Sequence, residues 1–161
     1  IMFGHIDDLE SWVNHFELLK KIQLKTSGFT EVVPLPFVHM GSPIFLQGNS
    51  MPGPTWDEIV LMHSLARIYF YNTIDNIQAS WVKLGHDGAK VLLNSGVNDL
   101  GGTLINENIS RASGANHGQE TTATEFINLI KDAGKIPYLR NTLYTTFKNL
   151  ESVSAQNVIR I

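Results

Sequence analysis

The pattern that most restricts this chain is an alternation. A short run of apolar and β-branched residues is followed by a stretch with apolar residues at helical spacing, and the pair recurs four times in order. Ile1 to Phe3 reads as a strand. From Asp8, a suitable N-cap, apolar residues fall at Leu9, Trp12, Val13, Phe16, Leu19 and Ile22, and Gly28 stands where a helix stops. Residues 29–35, FTEVVPL, predict a second strand closed by Pro34 and Pro36. After a Pro- and Gly-rich loop over residues 36–54, Thr55 and Glu58 form a capping box at the head of a helix whose buried stripe is Ile59, Met62, Ala66 and Tyr69. Residues 76–82, NIQASWV, predict a third strand, with a helix over residues 86–94. Residues 97–100 predict a fourth strand, with a helix through about residue 113. A second capping box, Thr122 with Glu125, opens a helix that Gly134 ends, and the tail is expected to be helical over residues 143–150.

Alternating strands and helices imply a parallel sheet with right-handed crossovers. Four βα units make either a small open α/β sheet or half of a (β/α)8 barrel. The abrupt opening on Ile1-Met2-Phe3 reads as the interior of a strand in something longer, which favours the half barrel. On that expectation residues 1–145 are the half barrel and residues 146–161 a helical tail. A half barrel has unpaired edges, so a missing half, a partner subunit or self-association into a homo-oligomer is expected to cover them.

Composition narrows the function. Twelve Lys and Arg against fifteen Asp and Glu leave a net charge of −3 and no basic face for nucleic acid. No apolar stretch reaches the roughly 18 residues of a membrane helix, and no signal-peptide pattern is present, so a cytoplasmic location is expected. There is no cysteine, which removes disulfides, cysteine nucleophiles and thiolate metal sites from this chain. No Walker loop, GxSxG or HExxH is present.

Polar residues instead gather around the strands. The first strand leads to His5 and Asp7. The second contains Glu31 and leads to His39. The third carries Gln78 and Ser80 on one face, with Lys83 beyond. The fourth ends in Asn98, Asp99, Gly101, Gly102 and Thr103. In parallel α/β folds the strand ends share one ligand-binding face. Each residue also has a plain reading: loop-capping histidines, satisfied core polars, ordinary Asn-Asp turn chemistry. His15 and His63 lie on helices and read as surface or packing residues. It is the coincidence at all four strands that points to a site.

Three stretches, GHIDDLESWVNHFELLKKIQLKTSGFTEVVPLPFVH, NIQASWVKLG and GVNDLGGTLINENISRASGANHG, together resemble the C-terminal half of radical S-adenosylmethionine (SAM) enzymes of the deazaflavin (FO) synthase type, in their tyrosine-using branch. The resemblance covers about residues 1–145. It implies half of a radical SAM (β/α)8 TIM-type barrel. It also implies a reaction in which a 5′-deoxyadenosyl radical acts on L-tyrosine and the 4-hydroxybenzyl group is joined to 5-amino-6-(D-ribitylamino)uracil. The family's 4Fe-4S cluster is held by CxxxCxxC, a motif absent here, so the resemblance implies a fragment that is inactive alone and needs the cluster-bearing half or a partner FO synthase subunit. By the same resemblance Asn98 and Asp99 pair with the uracil edge. Thr103 and the Gly101-Gly102 amides hold ribityl hydroxyls, Gln78, Ser80 and Lys83 line the substrate site, His5 and Glu31 orient tyrosine or SAM, and His39 exchanges a proton. Relatives of the futalosine route to menaquinone share the GH and ND landmarks and are the alternative enzyme reading. A non-catalytic α/β assembly module is the alternative of another class.

Overall fold

A computed structural model describes residues 1–104, 112, 114 and 120–152. The elements run β1 (Met2–Phe3), α1 (Leu9–Thr26), β2 (Leu35–Pro36), α2 (Pro43–Leu46), α3 (Trp56–Tyr69), α4 (Trp81–Leu92), α5 (Ala123–Asp132), β3 (Tyr138–Arg140) and β4 (Phe147–Asn149). It is an α/β chain with helices predominating and short strands.

The first four extended segments lie side by side in chain order, all parallel. Met2 pairs with Leu35 and Phe3 with Pro36. Val32 then bridges Ile77, and Gln78 bridges Asp99. The ladder is sparse: Val32 N–H donates to Asn76 O and Gln78 N–H to Val32 O, each at 2.9 Å, and Ala79 N–H donates to Asp99 O at the same length. The expected strand over residues 29–35 is thus replaced by a bridge at Val32 and a two-residue strand beyond it. Pro34 and Pro36 have no N–H to give a neighbour, which breaks the ladder.

The third segment is also shorter than the expected 76–82. Residues 77 and 78 bridge, Ser80 becomes an N-cap, and helix starts at Trp81 rather than near His86. Gly85 breaks α4 with φ 69°, so a first turn, Trp81–Leu84, precedes the main helix. That turn buries Trp81, Val82 and Leu84, and an extended chain over the same residues would point Val82 away from Trp81. The expected helix through about residue 113 falls largely on residues 105–111 and 113, outside those described. Four complete βα units are therefore not shown.

Other helix ends follow the sequence closely. Asp8 caps α1 by accepting from Ser11 N–H, Ser27 ends it in the left-handed conformation, and both capping boxes form as read. The core joins the strands' outer face to the helices: Phe3, Val32, Ile77 and Ala79 against Trp12, Phe16, Met62, Ala66 and Phe70. Only part of the apolar stripe of α1 is used. Trp12 and Phe16 are buried, whereas Leu9 and Val13 are exposed. His63, read as a surface or packing residue, is wholly buried. Its Nδ1 lies 2.7 Å from Ile59 O, and burial lowers its basicity against that bond.

The tail departs most from expectation. Instead of a helix over residues 143–150, β3 and β4 pair antiparallel, with Tyr138 opposite Asn149 and Arg140 opposite Phe147. Asn141 builds the connection. Its Oδ1 accepts from Thr145 and Thr146 N–H and its Nδ2 donates to Thr145 Oγ1, while Tyr144 takes a positive φ of 55°. Side-chain bonds of this kind offer the backbone an alternative to helix.

Candidate functional site

Alternation along the strands gives the sheet a second face, opposite the helices, and on it stand Glu31, Gln78 and Asp99. Glu31 and Gln78 line an open cleft of about 280 Å³, together with Ser80, Trp81, Leu100, Gly101, Gly102, Leu104 and Arg140. Ser80, as the N-cap of α4, has a hydroxyl that makes no capping bond. Trp81 Nε1 donates to Gly102 O at 3.2 Å, which ties the first turn of α4 to the glycine pair.

At one wall of this cleft the charges meet. Asp99 is almost wholly buried and accepts from Arg140 at both oxygens: Nε–H reaches Oδ2, and an NH2 hydrogen reaches Oδ1 at 3.1 Å. Asp99 Oδ1 also accepts from Gly101 N–H and from Gln78 Nε2 at 3.3 Å. Gln78 Nε2 is shared with Glu31 Oε2 at 3.1 Å, and the same oxygen receives the Tyr144 hydroxyl and, at 3.5 Å, Arg140. The Arg140 guanidinium carbon sits 4.0 Å from the centre of the Tyr144 ring. The hydrogen bond to Asp99 holds the Arg140 guanidinium above its ordinary value. Burial pushes the Tyr144 phenol up, and its bond to Glu31 adds to that, so the phenol stays a donor.

Five of the eleven residues singled out in the sequence line the cleft, Glu31, Gln78, Ser80, Gly101 and Gly102, and Asp99 accepts from Gln78 and Arg140 beside it. Asn98 does not line it. Its neighbour Asp99 faces the cleft, so Asn98 points the other way, and Arg67 and Ile77 N–H donate to its Oδ1 at 2.6 and 2.9 Å. It holds the strand to the end of α3. Lys83 and Thr103 lie outside the lining residues. Glu31 precedes the first bridged residue of its segment, so it stands where that strand begins rather than inside it. The turn at Gly101 is closed by Asp99, so that amide is already taken. His39 packs on Phe45 at 4.5 Å between ring centres and its carbonyl accepts from Ser42 N–H, a loop-capping role.

His5 belongs to a separate cluster around Asp7. Asp7 accepts from Gly4 N–H at 2.9 Å, His5 N–H at 3.1 Å and the Trp12 indole N–H. His5 Nδ1 approaches Asp7 Oδ1 at 2.8 Å without hydrogen-bond alignment. Burial alone would raise the Asp7 carboxyl, but the donors from Gly4, Trp12 and His5 outweigh it and bring it from 3.8 down to about 2. A carboxyl depressed on folding stabilises above its unfolded value and loses that contribution as pH falls through the folded one. Asp7→Asn is therefore expected to be less stable than wild type at pH 7, with the difference shrinking between about pH 4 and pH 2. Chemical denaturation across that range measures it, and two parallel stability curves would refute it.

Arg140 and Tyr144 were not found in the sequence. They follow the last helix, more than forty residues from the last strand they touch, and short-range spacing cannot register such a pairing. The chain has no cysteine, and among the described residues no group of three His, Asp or Glu is placed to hold a metal ion. No helix of the described residues is long and apolar enough to cross a membrane.

Known proteins carry related sequences. The chain is 49% identical over 150 residues to the 5-amino-6-(D-ribitylamino)uracil–L-tyrosine 4-hydroxyphenyl transferase of Methanothermobacter thermautotrophicus, which covers 93% of this chain and 41% of that protein. It is 49% identical over 148 residues to the same-named enzyme of Methanopyrus kandleri, covering 92% and 40%. With the FO synthase of Mycobacterium leprae it shares 46% over 144 residues, or 89% of this chain and 17% of that one. The chain thus spans about two fifths of the length of the archaeal relatives. The family model described as the CofH/MqnC C-terminal region matches residues 26–153, the strand segments from Val32 onward, the cleft and the hairpin included, and the chain belongs to that family.

Proposed function

We propose that this chain is the substrate-facing part of an enzyme that joins the 4-hydroxybenzyl group of L-tyrosine to 5-amino-6-(D-ribitylamino)uracil, and that its parallel segments are half of a radical SAM barrel. The observation that carries this reading is the cleft on the inner face of the strands, bordered by Glu31, Gln78, Ser80 and Arg140, in a chain nearly half identical to transferases named for those two substrates.

The chemistry of the lining suits the reaction. Among the described residues no nucleophile with an adjacent base lines the cleft. It offers amide, hydroxyl, carboxylate and aromatic groups, which suit holding and enclosing a reactive species better than acid–base work. Gln78 and Ser80 present a carboxamide and a free hydroxyl to the donor and acceptor edges of the uracil and to ribityl hydroxyls. Glu31 supplies an anionic acceptor, and Trp81 a large apolar wall that excludes water. In this proposal SAM and the cluster are held by a part of the enzyme other than this chain, which supplies none of the cluster's ligands, and none of these roles depends on them.

The test is product formation by the enzyme that contains this chain, reconstituted anaerobically and given SAM, L-tyrosine and the diaminouracil. Mass spectrometry is expected to show a tyrosine-dependent adduct of the diaminouracil. Gln78→Ala is expected to lower the rate of adduct formation about tenfold, the loss of roughly one hydrogen bond in the transition state. Absence of adduct with wild-type enzyme would overturn the reading. The family description also covers menaquinone-pathway relatives, and turnover of a futalosine-type substrate in place of tyrosine would assign the chain to them.

A further inference from the structure

The β3–β4 hairpin is short and largely exposed, yet it delivers two side chains to one carboxylate. Glu31 Oε2 receives Gln78 Nε2, Arg140 and the Tyr144 hydroxyl. Among the described residues no donor reaches Glu31 Oε1, and Glu31 lines the cleft. With three donors converging on one oxygen, the other is left for whatever enters. Asp99 offers no such oxygen, since Arg140 occupies both of its own and Gly101 and Gln78 add to one.

Among the described residues the charges of this wall do not cancel. Glu31 and Asp99 are two carboxylates against the single guanidinium of Arg140, and Tyr144 is held as a neutral donor. A cationic N–H donor completes the set, whereas a neutral ring does not. Of the two substrates in the reading above, on which this inference rests, the amino acid carries an ammonium group and the diaminouracil is uncharged. We infer that Arg140 and Tyr144 are positioning residues that turn Glu31 toward the cleft as the acceptor for the ammonium group of the amino-acid substrate.

The hairpin therefore acts on the substrate through Glu31 and not by direct contact. Tyr144→Phe tests this well, because the ring stays over Arg140 and only the hydroxyl is lost. In the enzyme containing this chain, the KM for L-tyrosine is expected to rise about tenfold, with kcat within about twofold and the KM for the diaminouracil unchanged. A second readout is discrimination against 3-(4-hydroxyphenyl)propanoate, which lacks the ammonium group. Wild type is expected to prefer tyrosine over this analogue, and Glu31→Gln and Tyr144→Phe to lose most of that preference. Arg140→Lys, which keeps the charge but not the two-point geometry, is expected to move the same ratio in the same direction. An unchanged KM for tyrosine, or a change confined to the diaminouracil, would overturn the inference. If wild type forms no adduct, the proposed function fails. Calorimetric binding of tyrosine and of the propanoate to wild type and Tyr144→Phe then still decides the role of the hairpin separately.

Discussion

Arg140→Met is expected to destabilise the protein by about 3 kcal/mol, because it leaves the buried Asp99 carboxylate without its cation. The side chain of Asp99 is only 7% exposed and takes a two-point bond from Arg140. Methionine fills similar volume but donates nothing, so among the described residues the charge retains Gly101 N–H and Gln78 Nε2. The figure sits at the low end for a buried pair because Arg140 itself is partly exposed. Two further measurements separate this cause from general damage. Adding Asp99→Asn to Arg140→Met removes the stranded charge, and the double variant is expected to regain about 1–2 kcal/mol relative to additivity. Hydrogen exchange over residues 138–149 is expected to accelerate in Arg140→Met, since the hairpin loses its principal tether to the strands. Strict additivity of the two substitutions would refute the account.

Phe70→Ala is expected to cost about 3–5 kcal/mol and to lower the melting temperature by roughly 10 °C. Phe70 follows the last turn of α3 and is wholly buried, with its ring centre 5.0 Å from that of Phe16 on α1 and 5.5 Å from that of Tyr69. It also starts the turn that returns the chain to the third strand segment: Thr73 and Ile74 N–H both donate to Phe70 O. The ring thus joins α1 and α3 where the chain turns toward Gln78. Alanine leaves a cavity among well-packed rings that the backbone cannot close, whereas Phe70→Leu, keeping most of the volume, is expected to cost only about 1–2 kcal/mol. Equal losses for the two variants would show that the cavity is not the cause.

Much of the local architecture was legible. The helix limits at Asp8, Thr55 and Thr122 follow from groups that satisfy their own orphan N–H donors within three residues, so nothing distant is needed to find them. Gln78 and Glu31, which line the cleft, were singled out because they are polar where a buried segment should be apolar. The errors have equally local causes. Strand lengths were overestimated because apolar content was read without counting the N–H groups that Pro34 and Pro36 lack. The tail was read as helix over residues 143–150, whereas Asn141 closes a hairpin with its own side chain. Asn98 and Asp99 were read as one unit, though successive strand residues face opposite ways.

The sequence by itself determined the order of segments, the capped helix ends, the parallel arrangement of the strand segments, the absence of cysteine ligands and the resemblance to the family. Each is set by residues close together in the chain or by composition. Only the tertiary structure decided which polar residues meet. A carboxylate at residue 31, another at residue 99 and a guanidinium at residue 140 carry no signal of one another in the chain. They come together because parallel pairing sets Glu31, Gln78 and Asp99 on one face, and a hairpin beyond the last helix brings Arg140 to the two negative charges that face has gathered.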